Sequence, residues 1–108
     1  MDAHRLAELR SLAYHRLIAQ RLTDRPELRA NALGRAQQWL MSGGPTHPTW
    51  ASAWVELLAG PLDVLIERLG ADDEPMRALR QCTPFAGAIT PQERWALHRQ
   101  VRQEESAA

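Results

Sequence analysis

The first residues of the chain place two histidines, a glutamate and a serine at helical spacing. His4 and Glu8 are four residues apart, as are Ser11 and His15, so all four share one face if this segment is a helix. Imidazole and carboxylate groups ligate zinc, but the pattern lacks a compact motif such as H-E-x-x-H and has no third strong ligand. We therefore interpret the stripe as a polar surface and expect neither a metal nor another cofactor.

The only cysteine, Cys82, is the next candidate for chemistry. It lies at the predicted C-terminal end of a helix, where the helix dipole does not favour a thiolate, so we expect a buried and inert thiol. The sequence has no Ser/His/Asp signature, no glycine-rich phosphate loop and no dinucleotide fingerprint. We predict a protein that is not an enzyme. The enzymatic alternative requires a polar pocket near His15, Cys82 and Arg94.

Aromatic and apolar residues are the candidates for binding another protein. The chain has four tryptophans, and tryptophan is enriched at binding hot spots, although core packing is its commoner role. The apolar loop 83–89 has two interpretations. Either Phe85 and Ile89 fill the core while Gly87 takes a positive φ, or the loop is exposed and docks a partner. The partner-binding candidates are Tyr14, Ile18, Trp50, Trp54, Pro84, Phe85, Gly87 and Trp95.

Charge is balanced over the whole chain but unevenly distributed. All thirteen basic residues are arginine, and they are matched by thirteen acidic residues. Segments 1–35 and 76–108 are basic, whereas the segment between them is acidic. Arginine favours bidentate contacts to carboxylate or phosphate, but a dedicated nucleic-acid-binding domain usually has a strongly basic balance. A GC-rich genome is the favoured explanation for the absence of lysine.

Nucleic-acid binding is the alternative function. Segments 61–69 and 74–82 have the order of a helix-turn-helix hairpin, whose second helix enters the major groove. Acidic residues 72–74 would then face the phosphates, which argues against this geometry. The nucleic-acid candidates are Arg77, Arg80, Gln81, Arg94, Arg99 and Arg102.

Helices must position all of these residues. Apolar residues recur at helical spacing throughout the chain, and no segment shows the alternation of a strand. We predict one all-α domain, a compact bundle of about five to six helices without a sheet, spanning residues 1–108 and ending in a frayed tail at 104–108. The predicted helices are 2–22, 25–42, 48–59, 61–69, 74–82 and 91–104.

Local signals set the ends of these helices. Asp24–Glu27 and Thr90–Glu93 have capping-box spacing, each with a proline in the first turn, and Asp73 is a third candidate cap. Gly43, Gly60 and Gly70 mark helix ends. Gly34 lies within a helix, which suggests that a close neighbour requires it.

The first helix carries two apolar stripes, one through Leu6, Leu9 and Leu17 and one through Tyr14 and Ile18. A helix that is apolar over so wide an arc contacts more than one neighbour. No run approaches the ~20 apolar residues of a membrane span, and the N-terminal residues lack the apolar core of a signal peptide. We expect a soluble, cytoplasmic protein without a membrane partner.

Two stretches resemble a group of uncharacterised small bacterial helical proteins. Residues 10–19, RSLAYHRLIA, resemble the opening of these proteins, and residues 79–87, LRQCTPFAG, followed by Glu93-Arg94-Trp95, resemble their closing motif. Some members lie in toxin–antitoxin-like gene pairs or are fused to a helix-turn-helix domain. The resemblance implies a regulatory or partner-binding role, antitoxin-like or as an operon-partner adaptor. The partner would be another protein or a second copy of the chain. The matching positions are Arg80, Gln81, Pro84, Phe85, Gly87, Arg94 and Trp95.

Overall fold

Residues 2–107 are described by a computed structural model, and they form six α-helices and no strand. The predicted all-α bundle is therefore confirmed. The fifth helix ends two residues before its predicted end. The sixth runs beyond residue 104, so that 104–107, predicted as a frayed tail, are helical; residue 108 lies outside the described range. The helices are α1 (Ala3–Arg21), α2 (Pro26–Ser42), α3 (Pro48–Ala59), α4 (Leu62–Leu69), α5 (Glu74–Arg80) and α6 (Pro91–Ala107).

The first helix, α1, lies at the centre of the fold. Helices α4, α5 and α6 all pack against it, while α2 and α3 form a hairpin whose second helix contacts α4 and α5. The prediction that α1 meets several neighbours is therefore confirmed. Ile18 on α1, Trp54 and Leu58 on α3, and Leu65 and Leu69 on α4 are fully buried where these helices meet.

Capping explains most of the helix starts. The Asp73 carboxylate accepts the Met76 N–H at 3.0 Å, which confirms the predicted cap of α5. The capping box of α6 is also confirmed. The Thr90 N–H donates to the Glu93 carboxylate at 2.9 Å, and the Glu93 N–H donates to the Thr90 hydroxyl at 3.1 Å. Both caps satisfy main-chain N–H groups that have no partner within their helix.

The predicted capping box at Asp24 and Glu27 is wrong. The residue that precedes α2 is Arg25, with φ −130° and ψ 72°, and no side chain caps this helix. A residue before proline is disfavoured in the helical conformation, so Arg25 cannot be the first helical residue and the helix begins at Pro26. The Glu27 carboxylate instead accepts a hydrogen bond from Arg25 Nε at 3.0 Å.

No tight contact requires the glycine within α2. A Cβ built on Gly34 has no atom beyond its own helix within 4 Å, so the expected close neighbour is absent from the described residues. We predict that Gly34→Ala raises the free energy of unfolding by about 0.5–1 kcal/mol, because alanine restricts the unfolded chain more. Urea denaturation measures the change. Gly43→Ala is the contrasting variant, since Gly43 has φ 69° and its replacement is expected to cost about 1–2 kcal/mol. A loss of stability in Gly34→Ala would contradict the prediction.

Candidate functional site

The polar stripe of α1 divides into a surface part and a buried part. His4 is exposed and lies 2.8 Å from the Glu8 carboxylate, whereas His15 is 1% exposed. His15 Nδ1 lies 2.7 Å from the Ser11 carbonyl oxygen, which can only accept, so Nδ1 carries the proton. His15 Nε2 then accepts from the Thr83 hydroxyl at 2.8 Å. The buried imidazole is therefore a neutral structural group.

The surroundings of His15 lower its pKa. Burial lowers the pKa of His15 from 6.5 to about 4, opposed by the hydrogen bond to Ser11 and assisted by the charge of Arg80. The ring stacks against Trp54, with centroids 6.3 Å apart, and meets the edge of Phe85 at 6.2 Å. His15 thus has its two nitrogens occupied and its ring enclosed by aromatic side chains.

The apolar loop 83–89 is part of the core. Phe85 and Pro84 are buried, and Gly87 has φ 80°. The loop therefore adopts the first of its two interpretations, in which it fills the core and Gly87 has a positive φ. The Tyr14 hydroxyl donates to the Phe85 carbonyl oxygen at 2.6 Å. Arg35 Nη1 donates to the carbonyl oxygens of Pro84 at 2.7 Å and Ala86 at 3.0 Å. These side chains hold the loop against α1 and α2, and only its turn at 86–87 is exposed.

Arginine side chains also donate hydrogen bonds to main-chain carbonyl oxygens at the C-terminal ends of α3 and α4. Arg80 is 3% exposed, and its Nη1 donates to the carbonyl oxygens of Leu69 at 3.2 Å and Ala71 at 2.8 Å. This satisfies acceptors left open at the C-terminal end of α4. Arg16, which donates to the Gly70 carbonyl oxygen, and Arg29, which donates to those of Leu58 and Gly60, act in the same way. Several of the arginines are therefore occupied by main-chain carbonyl oxygens.

The nucleic-acid candidates separate into two groups. Arg80 is buried, and Arg77 lies 2.9 Å from Asp72 and 3.8 Å from Glu8, so α5 does not present these two groups as a recognition helix would. Gln81 is exposed just beyond α5. The α6 candidates are exposed, make no ion pair with the described residues, and lie with Trp95 on an arc of about 140°. They are Arg94, Arg99 and Arg102.

The residues of the enzymatic alternative do not form a shared pocket. His15 is buried, Cys82 donates its thiol to the Leu79 carbonyl oxygen at 3.3 Å, and Arg94 is exposed on α6. Arg94 lines one surface cleft with Trp95 and His98 and another with residues 87–91, and neither cleft includes His15 or Cys82. Within residues 2–107, no three His, Cys, Asp or Glu side chains are grouped so that they could hold a metal ion.

The partner-binding candidates lie partly in the core and partly at the surface. Ile18, Trp54 and Phe85 are buried together with Pro84, so they contact other parts of the chain in this structure. Tyr14 is half-buried and holds the loop 83–89. The candidates at the surface are Trp50, which is 39% exposed, Trp95, which is 68% exposed, and Gly87.

Besides Val64 on α4, two exposed apolar residues were missed in the sequence. Met41 is 88% exposed and Leu40 is 41% exposed, both in the last turn of α2. Trp50 lies at the start of α3, at the same end of the α2–α3 hairpin, and we call these three exposed residues the hairpin tip. One signal for it was present, because residues 36–55 contain no Asp, Glu, Lys or Arg.

The backbone of the hairpin tip is held by local contacts. Gly43 ends α2 in the left-handed conformation. A Cβ on Gly44 would lie 2.8 Å from Trp39 Cδ1, so only glycine allows the loop to pack on this ring. His47 Nδ1 accepts the Thr49 N–H at 3.1 Å and caps α3. A loop with this many constraints loses little entropy when it binds a partner.

We find no match to this chain among protein-family models, curated proteins or solved structures. The functional interpretation therefore depends on the surfaces of the chain itself. Among residues 2–107, no helix combines the length and the apolar character that crossing a membrane requires.

Proposed function

We propose that this protein is a non-enzymatic protein-interaction module that binds its partner through the hairpin tip. The observation that carries the proposal is the exposure of Met41, Leu40 and Trp50 within the uncharged segment 36–55 of the α2–α3 hairpin. A regulatory role, antitoxin-like or as an operon-partner adaptor, is the biological setting that the sequence resemblance implies for such a module.

The chemistry of the hairpin tip favours a protein partner. Tryptophan and methionine are enriched at protein interfaces, and charged residues are depleted at interface cores. Met41 adds a flexible, polarisable side chain that adapts to an apolar groove. Because segment 36–55 has no charged side chain, the tip offers nothing to a phosphate backbone. The complementary surface is therefore apolar and uncharged.

We predict that Met41→Lys weakens binding of the partner at least about tenfold, because the complex would have to bury an unpaired charge. The substitution should leave the stability of the fold unchanged, because Met41 is mostly exposed to solvent and lysine is favourable at a helix C-terminus. Affinity capture with nuclease-treated lysate, quantified by mass spectrometry, identifies the stoichiometric partner. Calorimetry with the purified partner then gives the affinity of each variant.

Val64→Lys is the matched control, because Val64 is an exposed apolar residue on α4 outside the hairpin tip. The proposal requires that Val64→Lys keeps the affinity that Met41→Lys loses. Equal binding by both variants would refute the hairpin tip as the binding surface. Absence of any stoichiometric partner, together with a monomer in light scattering, would refute the proposed function. In a parallel capture without nuclease, recovery only of nucleic acid, abolished by Arg99→Gln and Arg102→Gln, would favour the alternative function on α6.

A further inference from the structure

A cleft lined mainly by polar residues lies between the N-terminal half of α1 and the C-terminal end of α5. It has a volume of about 380 Å³, which is enough for a small organic molecule. Helix α1 contributes Glu8 and Ser11 to its walls, α5 contributes Arg77 and Arg80, and Gln81 follows at the end of that helix. The cleft thus joins the polar stripe of α1 to the buried arginine of α5.

One edge of the Arg80 guanidinium lacks a partner in the described chain. Only Nη1 makes hydrogen bonds, to the carbonyl oxygens of Leu69 and Ala71. Nε and Nη2 make no hydrogen bond with the described residues. Neither atom is fully shielded from solvent, because Arg10 Nε is the one side-chain nitrogen of residues 2–107 that is both fully buried and without a partner. The small remaining exposure of Arg80, 3%, therefore includes these two nitrogens, and Arg80 is one of the residues that line the cleft.

The charge of Arg80 is also uncompensated at close range. No carboxylate lies within 4.0 Å of its guanidinium among the described residues, although Asp72 and Asp73 act on it from farther away. The other charges of the cleft are paired. Glu8 lies 2.8 Å from His4, 3.2 Å from Arg5 and 3.8 Å from Arg77. A buried cation without a counter-ion is costly, so the cleft is suited to an anion.

We propose that this cleft binds the carboxylate of a small organic acid, held side-on by Nε and Nη2 of Arg80. These two N–H groups are parallel donors with the spacing of the two oxygens of a carboxylate. The Ser11 hydroxyl and the Gln81 amide, on the walls of the cleft, supply further polar groups. A monoanion balances the single unpaired guanidinium, whereas a phosphate dianion would carry a second charge towards Glu8.

The test is a titration of the ¹⁵N-labelled full chain with acetate, propionate and benzoate, followed by NMR. Inorganic phosphate and chloride at matched ionic strength are the comparison arms. We expect saturable shifts of the Arg80 Nε–H resonance and of the amides of residues 77–81 with the carboxylates, and small linear shifts with chloride. Linear shifts with every anion would overturn the proposal, and tighter binding of phosphate than of the carboxylates would overturn its ligand class.

Two exposed positions allow a test that leaves Arg80 and its structural hydrogen bonds in place. Gln81→Glu adds a negative charge at the cleft and is expected to weaken carboxylate binding at least about fivefold. Gln103→Glu, on the exposed surface of α6, is the matched control and should not change the affinity. Gln81→Lys should strengthen binding. If the shifts are saturable but the carboxylate affinity is the same in all three variants, the anion binds elsewhere and this site is refuted.

Discussion

Trp54→Ala is expected to lower the free energy of unfolding by about 3–5 kcal/mol. Trp54 is fully buried, and its Nε1–H donates to the Leu79 carbonyl oxygen at 3.1 Å. Its ring packs against His15 and Phe85, so that one side chain joins α3 to α1, α5 and the loop 83–89. A domain of this size has a total stability of about 5–15 kcal/mol, and this variant therefore loses much of it. Urea denaturation followed by circular dichroism gives the value without depending on tryptophan fluorescence.

Two further variants separate the contributions of Trp54. Trp54→Phe keeps an aromatic ring but removes the indole donor to the Leu79 carbonyl oxygen, which still accepts the Cys82 N–H at 3.2 Å. We expect a smaller loss of about 1–3 kcal/mol, from the lost hydrogen bond and the smaller ring. Trp95→Ala removes a tryptophan that is 68% exposed, and its stability should stay within about 0.5 kcal/mol of the original chain. If Trp54→Ala cost no more than Trp95→Ala, the central packing role of Trp54 would be wrong.

Acidification from pH 6.5 to pH 4 is expected to cost about 3 kcal/mol through His15 alone. Burial holds the pKa of His15 at about 4 in the folded chain, against 6.5 as its ordinary value. Between these values the unfolded chain takes up a proton that the folded chain does not. The stabilisation is therefore complete above pH 6.5 and is lost progressively as the pH falls towards 4. Equilibrium unfolding in urea at a series of pH values measures this slope.

His15→Gln isolates this contribution. The variant should be less stable at pH 7, because the hydrogen bonds to Ser11 and Thr83 are disturbed, but its stability should change much less between pH 6.5 and 4. His98→Gln is the matched control. Burial also lowers the pKa of His98, assisted by Arg10 and Arg94, but this side chain is only half-buried. Most of the pH dependence of the free energy of unfolding should therefore persist in His98→Gln. An equally steep profile in His15→Gln would contradict the assignment.

The ion-paired residues Glu93 and Asp72 titrate mainly below this range. Hydrogen bonding to Arg21 lowers the pKa of Glu93 from 4.5 to about 2, and hydrogen bonding to Arg77 lowers that of Asp72 from 3.8 to about 2. Their contribution to stability is present above these ordinary values and decreases as the pH falls towards 2. The steep change between pH 6.5 and 4.5 is therefore specific to histidine.

Local features of the sequence were sufficient to predict the helices and most of their ends. The caps at Asp73 and Thr90 and the left-handed glycine at Gly43 depend on atoms a few residues apart. Such signals are readable without the rest of the fold. The error at Asp24 was local as well, because the restriction that Pro26 places on Arg25 outweighed the spacing of the capping box.

Only the tertiary structure decided which residues are available for function. The four tryptophans are equivalent as residue types, yet Trp54 is buried, whereas Trp50 and Trp95 reach the surface. The environments of His15 and Arg80 depend on contacts such as the one from His15 to Thr83, 68 residues apart in the chain. Hydrophobic spacing shows which face of a helix is apolar but not which neighbour covers it. The sequence alone thus determined six helices and the caps of α5 and α6. Packing determined that the loop 83–89 is core, that the hairpin tip is exposed, and that α1 and α5 enclose a polar cleft.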